Sequence, residues 1–135
     1  MTNHIFLDAS FWIAYRNERQ NCHREAIRIL TEIARRRTKF VTTLPVLCEI
    51  HAHFSRTPKK KQIILQDFEN NPIIHIEEVT HADQQLAFKI LRGQTDKSYS
   101  LCDAISFVVI QRLGLKQALA FDDHFRQFGE FEIIS

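Results

Sequence analysis

Five short apolar runs, separated by stretches of helical periodicity, constrain what this chain can fold into more than any other feature. His4 to Leu7, Lys39 to Thr42, Ile73 to Val79, Gln117 to Phe121 and Phe131 to Ile134 have the length and composition of strands. Between them, Cys22 to Arg37 repeats Ala26, Ile27, Ile29, Leu30 and Ile33 at helical spacing and crowds basic residues into its last turn. Further helices are expected at Leu44 to Arg56, Pro58 to Asn70, Ala82 to Arg92 and Leu101 to Leu113, with a short one at Ser10 to Tyr15. A parallel crossover needs a connection of helix length, so this alternation predicts an α/β fold: a central parallel sheet flanked by helices on both faces. The stretch from Leu101 carries Ala104, Ile105, Phe107, Val108, Val109 and Ile110, apolar on nearly every side, and is expected to be a buried central helix.

The 135 residues hold only three glycines and three prolines, with no repeat or linker, which predicts one domain over residues 1–135. Apolar residues at 44% and charged residues at 25% exclude a disordered chain. Cys22, Cys48 and Cys102 are odd in number and far apart, suggesting neither a disulfide framework nor a zinc knuckle, and a reducing compartment fits them. The apolar stretch Ile5 to Ala14 is broken by Asp8 and lacks a preceding basic region, so it does not read as a signal peptide. No run is long enough to span a bilayer, and a cytoplasmic protein without membrane attachment is expected.

A net charge of +2 is too small for the whole-molecule field to hold nucleic acid. Two local runs, Arg35-Arg36-Arg37 with Lys39 and Lys59-Lys60-Lys61, are either solvated helix ends or phosphate contacts.

On the α/β scheme the acids collect. Asp8 ends the first strand, Asp122 and Asp123 end the fourth, and Asp103 lies in the first turn of the buried helix. Glu49 lies under two turns into the helix that follows Thr43, with Pro45 just inside its start. These positions fall on the edge beyond the carboxyl ends of the strands, where ligands gather in such sheets. Each acid also has a purely local role available. Asp8 can cap the helix Ser10 to Tyr15, Asp122 can cap the turn His124 to Phe128, Ser100 and Asp103 have capping-box spacing, and Glu49 can sit on a helix surface. Jointly, however, carboxylates at one apolar-lined edge repel one another and lose hydration unless a cation compensates. Mg²⁺ or Mn²⁺, which favour oxygen ligands, suit them better than a soft metal. Such an ion activates water and stabilises the leaving oxygen of a phosphodiester.

The pieces Ile5-Phe6-Leu7-Asp8-Ala9-Ser10, the helix with His23 and Ala26, Thr43 followed by Glu49, Ser98-Tyr99-Ser100-Leu101-Cys102-Asp103-Ala104 and Ala120-Phe121-Asp122-Asp123-His124-Phe125 together resemble a PIN-domain nuclease, in particular the VapC-like toxin branch. Their order and spacing span nearly the whole chain. The resemblance implies a PIN fold, a divalent-metal site of Asp8, Glu49, Asp103 and Asp122, and endonucleolytic cleavage of RNA. It also implies an antitoxin partner and a homodimer. Ser10, Thr43 and Asp96 are candidates for supporting positions around the metal ligands, with capping as the alternative for Thr43 and a turn role for Asp96. Two positions depart from the family pattern: Cys102 stands where threonine is common, and Asp123 where a basic or variable residue is usual. Asp122 is chosen over Asp123 because it directly follows the strand.

His51 and His53 point to different faces of a helix, so no zinc site is expected from them, and His23 and His124 are left outside the catalytic set as packed histidines. Phe11 and Trp12 are assigned to core or interface rather than to base stacking. The alternatives are a catalytically inactive PIN-type module that binds RNA or protein, and a housekeeping RNA-processing nuclease with no antitoxin. An aspartyl phosphotransferase wants Asp-x-Asp after the first strand, whereas the chain has Asp8-Ala9-Ser10.

Overall fold

Strands with buried, β-branched and aromatic side chains form the centre of the computed structural model, which describes residues 3–134; Met1, Thr2 and Ser135, the ends of the expected 1–135 domain, lie outside the described residues. In chain order the elements are β1 (His4–Leu7), α1 (Ala9–Arg16), α2 (His23–Ala34), β2 (Lys39–Thr43), α3 (Leu44–His53), α4 (Pro58–Phe68), β3 (Ile74–Glu77), α5 (His81–Gly93), α6 (Leu101–Arg112), β4 (Gln117–Leu119), α7 (Asp123–Phe128) and β5 (Glu132–Ile134). All four strand pairings are parallel, in the order β3-β2-β1-β4-β5, and Phe6 of β1 is in register with Val41 on one side and Ala118 on the other. The strand order reverses at β1. Crossovers through α1 to α4 step toward β3, and those through α5 to α7 step toward β5. Right-handed connections therefore put the two sets on opposite faces, as the alternation predicts.

Where elements differ from expectation, a specific bond explains it. β4 was expected to reach Phe121, but the amides of Phe121 and Asp122 donate to the Ser10 hydroxyl at 3.0 and 3.3 Å instead of to a strand. α2 ends at Ala34 rather than Arg37, and Arg37 takes a φ of 51° that ends the helical run before β2. The turn expected at His124 to Phe128 is a short helix closed by Gly129 at φ 75°, a left-handed closing position that an amino acid with a Cβ occupies only under strain.

α6 is buried from Asp103 to Ile110, which is why it is apolar all round. Its start is a complete capping box, Ser100 Oγ accepting the Asp103 N–H and Asp103 Oδ2 accepting the Ser100 N–H, each at 3.0 Å. Phe107, on α6, stacks on Phe128 at 4.2 Å and meets Phe125 edge-on at 5.0 Å, with Phe131 close by. Burying such rings stabilises the fold by roughly 2–3 kcal/mol each and clamps α7 to α6. Arg112 ties the far end of α6 to Asp83 at 2.9 Å and to Glu77 at 3.1 Å. Burial would raise the Asp83 carboxyl, but this guanidinium and the Thr80 bonds outweigh it and hold it below its ordinary range.

Candidate functional site

β1 has β2 on one side and β4 on the other, so the crevice beyond its carboxyl end is the topological switch point of the sheet. Asp8 directly follows β1, Thr43 ends β2, Asp122 follows β4 by three residues, and α6 begins at the same edge with Asp103 in its first turn.

Asp8 is the most deeply placed of the four site acids, 3% exposed. Its Oδ2 accepts the Ser10 amide at 3.1 Å and the Ser10 hydroxyl at 2.5 Å, so it does cap α1. Burial, reinforced by the charge of Asp103, nevertheless pushes its carboxyl up to about 7 against the lowering effect of those bonds.

Asp103 Oδ2 accepts from Ser100 and lies 2.8 Å from His124 Nδ1. Asp122 caps α7 through its Oδ1, which accepts the His124 amide at 2.8 Å and lies 3.4 Å from His124 Nδ1. The other ring nitrogen of His124 is 3.1 Å from Ser98 Oγ, and Tyr99 packs edge-on against the ring. Asp103, Asp122 and His124 each present one donor atom such that all three lie within 4.8 Å of one another. Two oxygens and one nitrogen at that separation match the donor set of a hard or borderline divalent cation. The capping roles and the clustering coexist, because a carboxylate has two oxygens.

Glu49 lies at the exposed mouth of this crevice on α3. Partial desolvation, with the charges of Asp103 and Asp122 adding, raises its carboxyl, and a bond from the Cys102 thiol partly offsets this. Burial among Glu49, Asp8 and Asp103 keeps that thiol protonated. Of the four expected acids, Asp103 and Asp122 come together in the cluster, while Asp8 and Glu49 lie outside it but within reach of its charge, Asp8 of Asp103 and Glu49 of both.

The supporting candidates divide. Ser10 is in the crevice, donating to Asp8 and accepting the amides of Phe121 and Asp122. Thr43 occupies the cap position of α3, but its hydroxyl makes no capping bond; it is fully buried at this edge and without a partner. Asp96 stays on the surface, 77% exposed and 3.9 Å from Lys97. Of the Asp122-Asp123 pair, Asp122 faces the cluster, while Asp123 is 79% exposed beside Arg126.

His124, set aside in the sequence as a packed histidine, instead joins Asp103 and Asp122 in the cluster. Besides its place in a resembling piece of sequence, its signal is the Asp122-Asp123-His124 spacing, which an N-cap and first turn fold back into proximity. His23 is a packed histidine, its Nδ1 2.8 Å from the Ala14 carbonyl oxygen. Phe11 is buried against Phe121 and Trp12 donates to Asp67 at 2.9 Å, so neither is a stacking platform. Arg35 to Arg37 precede β2 and lie at the opposite edge of the sheet from the acids. Lys60 is held by the Arg16 carbonyl and Glu18. A cavity of about 570 Å³ also lies away from the site acids, between α1, α2 and the starts of β2 and β3.

No helix among the described residues is long and apolar enough to cross a membrane. A family model described as PIN domain matches residues 5–130. The 23S rRNA-specific endonuclease VapC20 of Mycobacterium tuberculosis is 28% identical over 130 residues, covering 96% of this chain and 97% of that protein. The crystal structure of VapC20, described as a sarcin-ricin loop cleaving toxin, superposes with a TM-score of 0.85 at 28% identity over 97% of this chain and 99% of that one. A toxin-antitoxin complex from Klebsiella pneumoniae has the same fold, with a TM-score of 0.69 at 13% identity over 97% of this chain and 96% of that one.

Proposed function

This chain belongs to the PIN domain family, and from that premise we propose that it is an endoribonuclease, the toxin of a toxin–antitoxin pair, with Asp8, Glu49, Asp103 and Asp122 as its working carboxylates. The observation that carries the reading is the convergence of Asp103, Asp122 and His124 within 4.8 Å, beside an Asp8 whose carboxyl is raised by burial and by Asp103. A fold that gathers like charges in a half-dry crevice has a cation to gain there.

Asp103 and Asp122 would hold Mg²⁺ or Mn²⁺, with Asp8 as a third oxygen donor. When bound, the ion supplies the Lewis acidity that draws electron density from the phosphate and lowers the pKa of a ligated water. Glu49, at the mouth, orients the attacking water. Ser10 holds Asp8 and the Asp122 backbone in register, and His124 locks the relative position of Asp103 and Asp122. RNA is the proposed substrate, and because VapC20 is specific for 23S rRNA, that RNA is the first candidate. An antitoxin partner and a homodimer complete the reading. The Klebsiella pneumoniae toxin-antitoxin complex of the same fold supports the partner, and the exposed apolar side chains of Leu44, Leu86 and Leu101 offer surface for protein contacts. The proposed compartment is the cytoplasm.

The test is cleavage of purified ribosomal and total RNA with Mg²⁺ or Mn²⁺, with and without chelator, followed by mapping of the cut ends. Cutting that requires the ion and is lost in Asp103→Asn is expected. Equal cutting in chelator would overturn the mechanism.

A further inference from the structure

Beside the carboxylates lies a second feature of the crevice, a cavity of about 470 Å³ whose lining includes Ile13, Gln20, Asn21, His53, Phe121 and Asp122. Its volume falls within the range of small-ligand clefts, roughly 300–1,000 Å³. One wall is Asp122, so whatever fills the cavity lies against one of the four site acids. Ile13 and Phe121 supply apolar surface, and Phe121 is braced by stacking on buried Phe11 at 5.3 Å. The exposed amides of Gln20 and Asn21 bring donors and acceptors to the rim.

The remaining wall is the informative one. His53 lies one helical turn beyond Glu49 on the same face of α3. Although exposed, its ring is not free to swing. Asn17 Oδ1 accepts the Arg19 N–H at 3.0 Å, which orients that amide so that its Nδ2 donates to His53 Nε2, also at 3.0 Å. Phe54 packs edge-on against the ring at 4.9 Å. An exposed flat ring held in one orientation at a cavity wall costs little further entropy when another ring stacks on it. Beyond His53 a smaller cavity of about 260 Å³ is lined by Arg19 and by Lys60, the latter ion-paired with Glu18 of the same lining at 2.7 Å. A cavity beside a site carboxylate, with one flat ring wall and an amide-bearing rim, is the surface that a base next to the scissile phosphate would meet.

We propose that this cavity is a nucleobase subsite of the RNA substrate, taking an unstacked base next to the scissile phosphate, with His53 as its stacking wall and Gln20 and Asn21 reading its edge. The inference rests on the nuclease reading above and adds that the substrate must present a base that can leave its helix, as loops and single strands do.

The test is a binding cycle that needs no turnover. In an Asp103→Asn background, labelled short single-stranded oligoribonucleotides are titrated by fluorescence anisotropy, intact and with an abasic nucleotide placed at each position in turn. His53→Ala is expected to weaken binding of the intact RNA about tenfold, the scale of one base–aromatic stack. It is expected to have no effect on the RNA that is abasic at one particular position, while His53→Phe restores binding. Additive losses at every position, or unchanged affinity in His53→Ala, overturn the subsite. The two readings fail separately. A wild-type chain that cuts no RNA sinks the nuclease proposal whatever the cycle shows, and a chain that cuts RNA but gives an additive cycle sinks only the subsite.

Discussion

The Ser10 hydroxyl, with one proton to give, donates it to Asp8 Oδ2 at 2.5 Å and so must accept the amides of Phe121 and Asp122. This single side chain joins the end of β1 to the chain leaving β4, across the switch point. Ser10→Ala is expected to lower RNA cleavage about 10- to 100-fold, the usual cost of losing a group that orients ligands, with an unchanged circular dichroism spectrum. Full activity in this variant would remove Ser10 from the positioning role.

Asp8→Asn and Asp103→Asn remove charge at nearly constant shape, and each is expected to reduce cleavage at least about 100-fold. Single-turnover assays at saturating protein separate this from weakened RNA binding. Either variant cutting at the wild-type rate would contradict the assignment.

Asp8 also predicts a pH dependence. Its carboxyl rises from an ordinary 3.8 to about 7 on folding, so between these values the folded chain keeps a proton that the unfolded chain has released. Stability from this group is therefore fully present below pH 4, falls as pH rises toward 7, and is flat above, a loss of up to about 4 kcal/mol. Urea denaturation of chelator-treated protein at pH 4.5 and 7.5, read as wild type minus Asp8→Asn, isolates it. Asp8→Asn should be the more stable at pH 7.5 although inactive. A difference that does not change with pH would contradict the burial argument.

His124 bridges Asp103 and Asp122 through one ring nitrogen. His124→Ala is expected to weaken Mn²⁺ binding roughly 10- to 100-fold by calorimetry, through loss of a donor or of the clamp on two others. Unaltered affinity would make the histidine a bystander.

Phe107→Ala opens a void against Phe125 and Phe128 and is expected to cost about 3–5 kcal/mol in denaturant unfolding. A cost below about 1 kcal/mol would mean that the aromatic cluster does not anchor α7.

Much of this molecule was legible along the chain. Periodicity suffices for the alternation of strands and helices, because a strand repeats every two residues and a helix every 3.6, and the sheet's parallel pairing follows from the length of the connections. The same logic brings Asp8, Asp103 and Asp122 to one edge, since each directly follows a strand or opens a helix there. What stayed hidden depended on side-chain direction and on atoms distant in sequence. The 112-residue separation of Ser10 from Asp122, the ring of His124 turned toward Asp103, the unpartnered hydroxyl of Thr43 and the surface position of Asp96 are set by packing against neighbours that local pattern does not specify. Local preference determines which segments are helix or strand; only the packed tertiary structure decides which polar atoms meet, because a hydrogen bond depends on angstroms and angles that many sequences with the same pattern would place differently.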